Sequence, residues 1–278
     1  MPTPTTTTVP TSPKPIARKK LNELQTEVLQ ILYKFRFGNV SLISQYQDQS
    51  VRNSNFRLKN LLGQKYIGRF YDDNDRINRR QATYFLLLDA VRLLKANKEL
   101  DAKGLHLLYA NPGASPIFVN HNLRLFRMFF KLDELYGNNL EFFTSTEFAG
   151  ETKFPKVRPD AYLSFSGKHS NMPNCMLDLL ESNKPADQIR QRATRFINDY
   201  QTNSDWGSNY PRILLVCDNV GLERDIQRLI ARTLDYRGAV KPQYYTTTLR
   251  ALYGSHNTKT AVWSDVSKPE ELLALESI

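Results

Sequence analysis

The sequence predicts an α/β protein in two parts, a basic helical front and a rear built on a mixed sheet. Three observations predict it. Apolar residues recur with a helical period through residues 21–62 and then give way to two short strand-like runs. From Leu140 onwards short apolar runs alternate with amphipathic helices, the pattern of a sheet covered by helices. The charge is divided unevenly: residues 1–100 hold 17 Lys/Arg against 8 Asp/Glu, and the remaining residues 21 against 20. Nearly all of the net +10 therefore lies in the first third.

Residues 1–18 are mostly Thr and Pro, hold too few apolar side chains to offset ordering entropy, and are expected to be a disordered tail. Lys14, Arg18, Lys19 and Lys20 close it as a basic arm or a solvated run. Residues 19–100 form the front. Leu21, Leu24, Val28, Ile31, Leu32 and Phe35 share one face of a first helix, which Gly38 stops. Val40 to about Tyr46 is a second helix with Leu42 and Ile43 inward. A third spans about Val51 to Leu62, with Val51, Phe56, Leu58, Leu61 and Leu62 inward. Strand-like Tyr66 to Tyr71 and Ala82 to Leu88 flank a polar tip at residues 72–75.

Three helices followed by a hairpin is the order of a winged helix-turn-helix, whose third helix enters the major groove of DNA while the wing crosses the backbone. Asn53, Asn55 and Arg57 are of the types that bond base edges. Arg52, Lys59, Lys65 and Arg69 suit phosphates, and Arg76, Arg79 and Arg80 near the tip suit phosphates or a minor groove. A concentrated positive field gains counterion release on a phosphate backbone. The same charges also fit a solvated surface, acidic lipid or a protein contact.

Residues 101–117 read as a linker, ending in the loop Asn111 to Pro116. Residues 118–268 form the rear. Leu123, Phe126, Phe129, Phe130, Leu132 and Leu135 line a helix with His121 near its start, where the helix dipole disfavours imidazolium. Leu140 to Phe148, Phe154 to Phe165 and Cys175 to Leu180 read as strands. Ala186 to Tyr200 reads as a helix with a basic face of Arg190, Arg192 and Arg195. Arg212 to Cys217 is a strand covered on both faces. Leu222 to Leu234 is a helix, Tyr244 to Leu249 and Thr260 to Trp263 are strands, and residues 269–278 are an acidic tail, expected as a surface helix. Asp160 on one strand and Asp178 with Glu181 on the next bring carboxylates to one sheet edge, as a hard divalent cation requires; solvated turn residues would look the same.

Apolar runs reach only five residues, as in Tyr84 to Leu88, far short of the roughly 18 that cross a bilayer, so no membrane is expected. The opening residues carry no apolar segment after their charges, so no secretory signal is expected. Two cysteines, Cys175 and Cys217, are too few for a disulfide framework and fit no zinc spacing, which points to a reducing cytoplasm.

The ordered series of winged helix, Asn120-His121-Asn122-Leu123, Glu147, Arg158-Pro159-Asp160-Ala161, the acidic strand, the helix ending at Tyr200, Ile213 to Val216 and Ala261-Val262-Trp263 resembles the replication-relaxation family of plasmids and other mobile elements. The resemblance covers about Leu21 to Asp265. It implies a double-stranded DNA-binding accessory protein of replication or mobilisation, with replication or relaxase proteins as partners; a homodimer stays open. It also implies a restriction-endonuclease-like, PD-(D/E)xK-like rear, in which Asp160 and Asp178 are the metal-binding carboxylates. Mg²⁺ held there would orient the attacking water. The sequence departs from that pattern: Leu180 stands where the lysine belongs, and Asn183 does if Glu181 is taken as the acid. Lys184, Arg192 or Arg195 would have to supply the cation. The missing lysine favours a non-cleaving core. The alternative is a Mg²⁺-dependent nicking endonuclease using Asp160 and Asp178, with Glu181 and Lys184 beside them. A third reading is a transcriptional repressor.

Overall fold

The computed structural model describes residues 20–96, 100–203, 205–207, 209–237 and 241–278. The Thr/Pro-rich tail and its arm at Lys14, Arg18 and Lys19 lie outside the described residues. Helix α1 (Glu23–Phe35) starts at Asn22, whose side chain accepts from the Gln25 N–H while Gln25 reaches back to the Asn22 N–H. That reciprocal cap satisfies two donors a helix start leaves open. Its apolar face buries Val28, Leu29, Ile31, Leu32 and Phe35. Strand β1 (Gly38–Asn39) leads into α2 (Val40–Tyr46) and α3 (Val51–Gly63), followed by β2 (Ile67–Phe70), α4 (Asp73–Ile77) and β3 (Thr83–Leu86). The three strands form an antiparallel sheet in the order β1-β3-β2. The expected polar tip is a short helix, α4, because Asp72 and Asp75 cap one another's backbone N–H groups.

Helix α3 is turned differently from the expectation. Val51 and Phe56 point outwards (48% and 67% exposed), whereas Ser54, Arg57, Leu58 and Leu61 face the core. The Arg57 guanidinium donates to Gln47 Oε1 (3.0 Å) and Gln49 Oε1 (3.0 Å), so it ties the α2–α3 turn.

Residues 101–117, expected as a linker, fold into α6 (Ala102–Leu107), a 3₁₀ turn (Leu108–Gly113) and the start of α7, with Leu105 and Leu108 buried. Before them lies α5 (Leu88–Leu94), and after them α7 (Pro116–Tyr136), which starts earlier than expected because Ser115 caps it and Pro116 occupies its first turn. Front and rear share one apolar cluster: Phe35 of α1 stacks on Phe126 of α7 at 3.9 Å and also meets Phe129 and Phe142.

The rear sheet has seven strands in the order β10-β9-β8-β7-β6-β5-β4. They are β4 (Leu140–Thr144), β5 (Ala161–Phe165), β6 (Cys175–Leu180), β7 (Arg212–Cys217), β8 (Tyr244–Thr248), β9 (Trp263–Asp265) and β10 (Lys268–Leu273). The β6–β7 and β7–β8 pairs are parallel, and the others antiparallel. Helices α8 (Ala186–Thr202) and α9 (Val220–Arg237) cover one face, and α7 packs against the other; α10 (Leu249–Gly254) follows β8.

Two strands are shorter than expected. The chain turns after Thr144, and β5 begins only at Ala161, since Pro155 and Pro159 interrupt the ladder. Arg158 holds the intervening turns by donating to the carbonyls of Phe154, Pro155 and Ala149. The tail expected as a helix instead forms β10, which pairs with the open edge of β9 through a bulge. Among the described residues no helix is long and apolar enough to cross a membrane.

Candidate functional site

Side chains alternate along β6. Cys175, Leu177 and Leu179 join the cluster shared with α1 and α7, whereas Met176 and Leu180 join the one under α8 and α9. Asp178 falls on the α8 side and has no solvent exposure. Asp160, just before β5, has its backbone N–H 3.0 Å from Asp178 Oδ1, and its own Oδ2 accepts from the Leu179 N–H at 2.9 Å. The two carboxylates therefore lie side by side, but on inner strands and buried rather than at an edge of the sheet as expected.

Cations of the chain fill the space between them. Arg192 Nη2 donates to Asp160 Oδ1 (2.7 Å) and Asp178 Oδ1 (2.8 Å), and Arg195 Nη2 lies 2.5 Å from Asp178 Oδ2. On the α7 side, His121 bridges two carboxylates, with Nε2 3.0 Å from Asp160 Oδ1 and Nδ1 2.6 Å from Glu181 Oε2. Arg124 Nη1 (3.0 Å) and Lys184 Nζ (3.3 Å) also reach Glu181. The cluster wraps the carboxyl end of β6 and joins α7 on one face of the sheet to α8 on the other.

Burial alone would lower the pKa of His121, but the carboxylates of Asp160 and Glu181 outweigh it and raise the imidazole to about 9. Helix-start electrostatics led to the opposite expectation; His121 actually lies in the second turn of α7, and its two ion pairs dominate. Burial would raise Asp160, yet Arg192 and His121 hold it well below the usual carboxylate range. Glu181 is lowered against its own burial by His121 and Lys184.

Three carboxylates thus meet five cationic side chains. A hard divalent cation needs carboxylate oxygens free to coordinate it. Both oxygens of Asp160 and both of Asp178 already face guanidinium, imidazole or backbone N–H groups, so this donor set does not fit Mg²⁺. Among the described residues no group of three or more His, Cys, Asp or Glu side chains has a metal-holding arrangement. Glu147 lies outside the cluster: it accepts from the Thr144 N–H (2.7 Å) and pairs with Lys34 of α1 (3.5 Å). Lys184 reaches the cluster through His121 Nδ1 (3.0 Å) and Glu181 (3.3 Å) and forms no ion pair with Asp160 or Asp178.

Asp160, Asp178, Glu181 and Lys184 are expected here from the sequence, whereas Arg124 is not, and His121 is expected only as an uncharged ring near a helix start. A signal was present. His121 and Arg124 on α7, and Arg192 and Arg195 on α8, are each three apart and so share a helix face. Arg190, expected on the same basic face, points to solvent beside Asp187.

A second candidate surface lies on the front. Arg52, Asn53, Asn55 and Lys59 on α3, Lys65 and Arg69 on the β2 arm, and Arg76, Arg79 and Arg80 around the tip are exposed. Arg57 is the exception, for the reason given above. Arg52, Asn55, Phe56 and Lys59 fall three or four apart and form one outward stripe.

No family model and no curated protein matches the chain. Among solved structures, a mutant of ZitR from Lactococcus lactis is similar at 23% identity and a TM-score of 0.24. The overlap takes in 28% of this chain and 51% of that one, so the chain matches about half the length of that protein. At that overlap the likeness bears on neither fold nor function.

Proposed function

We propose that the protein binds double-stranded DNA through a winged helix-turn-helix formed by residues 19–100. The observation that carries this reading is the outward stripe of α3, flanked by exposed cations of the hairpin. Asn53 and Asn55 supply groups of the kind that bond base edges, and Arg52, Lys59, Lys65, Arg69, Arg76, Arg79 and Arg80 supply phosphate contacts. Arg57 serves this surface indirectly, by fixing the turn that sets the angle of α3.

The rear is a restriction-endonuclease-like core whose acidic residues act as an ion-pair lock. Asp160 and Asp178 are committed to arginines, and His121, with 5% of its side chain exposed, has both ring nitrogens engaged. Neither a free metal-binding carboxylate nor a base aimed at solvent results. The biological setting follows from the family resemblance: an accessory role in replication or mobilisation of a plasmid or other mobile element.

Fluorescence anisotropy of a labelled duplex, titrated with the whole chain at several salt concentrations, tests the binding. Affinity should fall steeply with salt, and a chain that leaves the duplex unbound at low salt would refute the reading. Supercoiled plasmid incubated with the protein and Mg²⁺ or Mn²⁺ should stay intact. Nicking that disappears in Asp160→Asn and Asp178→Asn would restore the endonuclease alternative.

A further inference from the structure

A cleft of about 860 Å³ separates the hairpin from the first turns of α7. Arg69, Tyr71 and Arg80 stand on the hairpin side, and Asn120 and Arg127 on the α7 side. The cleft also has acidic lining, Asp72 and Asp75, but each of these carboxylates accepts a backbone N–H as a cap of α4 (2.8 and 3.3 Å). Arg80 and Arg127 are exposed and have no carboxylate partner among the described residues. Arg69 lies 5.5 Å from the ring of Tyr71. Three arginines, Arg69, Arg80 and Arg127, against two carboxylates that keep their charge while capping α4 leave the cleft net cationic, and the arginines come from both the front and the rear of the chain. Clefts of roughly 300–1,000 Å³ hold a drug-sized molecule, so this one takes a nucleotide or two of a single backbone strand and not a duplex.

We propose that this cleft seats the sugar-phosphate backbone of one DNA strand beside the hairpin, with Arg127 of α7 contacting a phosphate from outside residues 1–100. The proposal rests on the DNA-binding reading above and extends it: the interface is completed by the rear. It also gives the 3.9 Å stacking of Phe35 on Phe126 a consequence, because that contact fixes α7 against the front and with it the width of the cleft.

The test uses the whole chain and a 30-base-pair duplex of mixed sequence, with anisotropy read across a salt series for wild type, Arg127→Ala, Arg52→Ala and Arg232→Ala. Arg127→Ala should weaken binding severalfold and reduce the slope of log affinity against log salt by about 1, as loss of one phosphate contact does. Arg232→Ala, on α9, should match wild type. If Arg52→Ala weakens binding and Arg127→Ala does not, the cleft proposal is overturned and the DNA-binding reading survives. If wild type fails to bind the duplex, both fall. Labelling gives a second readout, because Cys175 and Cys217 are buried and a photoreactive thiol reagent is directed to Asn120→Cys. Crosslinking to the duplex supports the proposal, and its absence in a variant that binds normally contradicts it.

Discussion

Asp178 has no exposure to water, and a carboxylate so placed is tolerable only with its charge matched. Arg192 and Arg195 match it. Removing one partner of a buried pair typically costs about 3–5 kcal/mol, because the other charge stays buried and uncompensated. Urea unfolding of Arg195→Ala should show a loss of that order; a loss below about 1 kcal/mol would mean the cluster does not hold the fold. His121 adds a pH dependence whose sign is fixed. Its pKa rises on folding from 6.5 to about 9, so its contribution is complete below pH 6.5 and is lost as pH climbs through 9. At about 1.4 kcal/mol per pH unit, that is worth about 3 kcal/mol. Asp160 and Glu181 move the other way, and their contribution is lost as pH falls through their depressed values. Stability should therefore decline between pH 6.5 and 9 in wild type, and that decline should flatten in His121→Gln.

Helix α3 shows how far periodicity alone reaches. Its existence and limits were legible in the sequence, but its orientation was not. Val51 and Phe56 are apolar, and nothing in the spacing says that Arg57 takes the inward position instead. Arg57 does so because its guanidinium closes the α2–α3 turn on Gln47 and Gln49, a partnership made between elements and invisible to the periodicity of one helix. Arg57→Ala should cost about 1–3 kcal/mol, the penalty of leaving buried acceptors unpaired, as read by thermal or urea unfolding. On the outer face the roles divide. Asn55→Ala should change which sequences are preferred while leaving the salt slope near its wild-type value. Arg79→Ala should weaken all sequences alike and reduce the slope by about 1. Strand β10 is the opposite case from α3. Its acidic, charged composition reads as a surface helix, and only the unpaired edge of β9 recruits it into the sheet. Strands β6 and β7, apolar except for Asp178 and the half-buried Arg212 and otherwise buried on both faces, were legible residue for residue.

At the scale of the whole chain, α7 is the part that front and rear have in common. It carries Phe126 into the core of the front, His121 and Arg124 into the acidic cluster, and Arg127 to the cleft. The expected linker hid this, because a Pro/Gly-containing loop reads as a boundary although the helices around it pack on both sides. Phe126→Ala should cost about 3–5 kcal/mol, as large-to-small changes of buried aromatic residues do, and should lower the whole melting transition rather than split it. If DNA is gripped by the α3–hairpin face, a second basic stripe should be dispensable: Arg224, Arg228 and Arg232 are exposed at four-residue spacing on α9. The deciding measurement is duplex affinity across a salt series for two charge-reversed proteins of equal net charge, one with Arg52, Lys59 and Arg79 changed to Glu and one with Arg224, Arg228 and Arg232 changed to Glu. With DNA on the α3–hairpin face, the first loses binding and salt dependence while the second stays close to wild type; binding lost in the second and kept in the first would put the DNA on α9 instead.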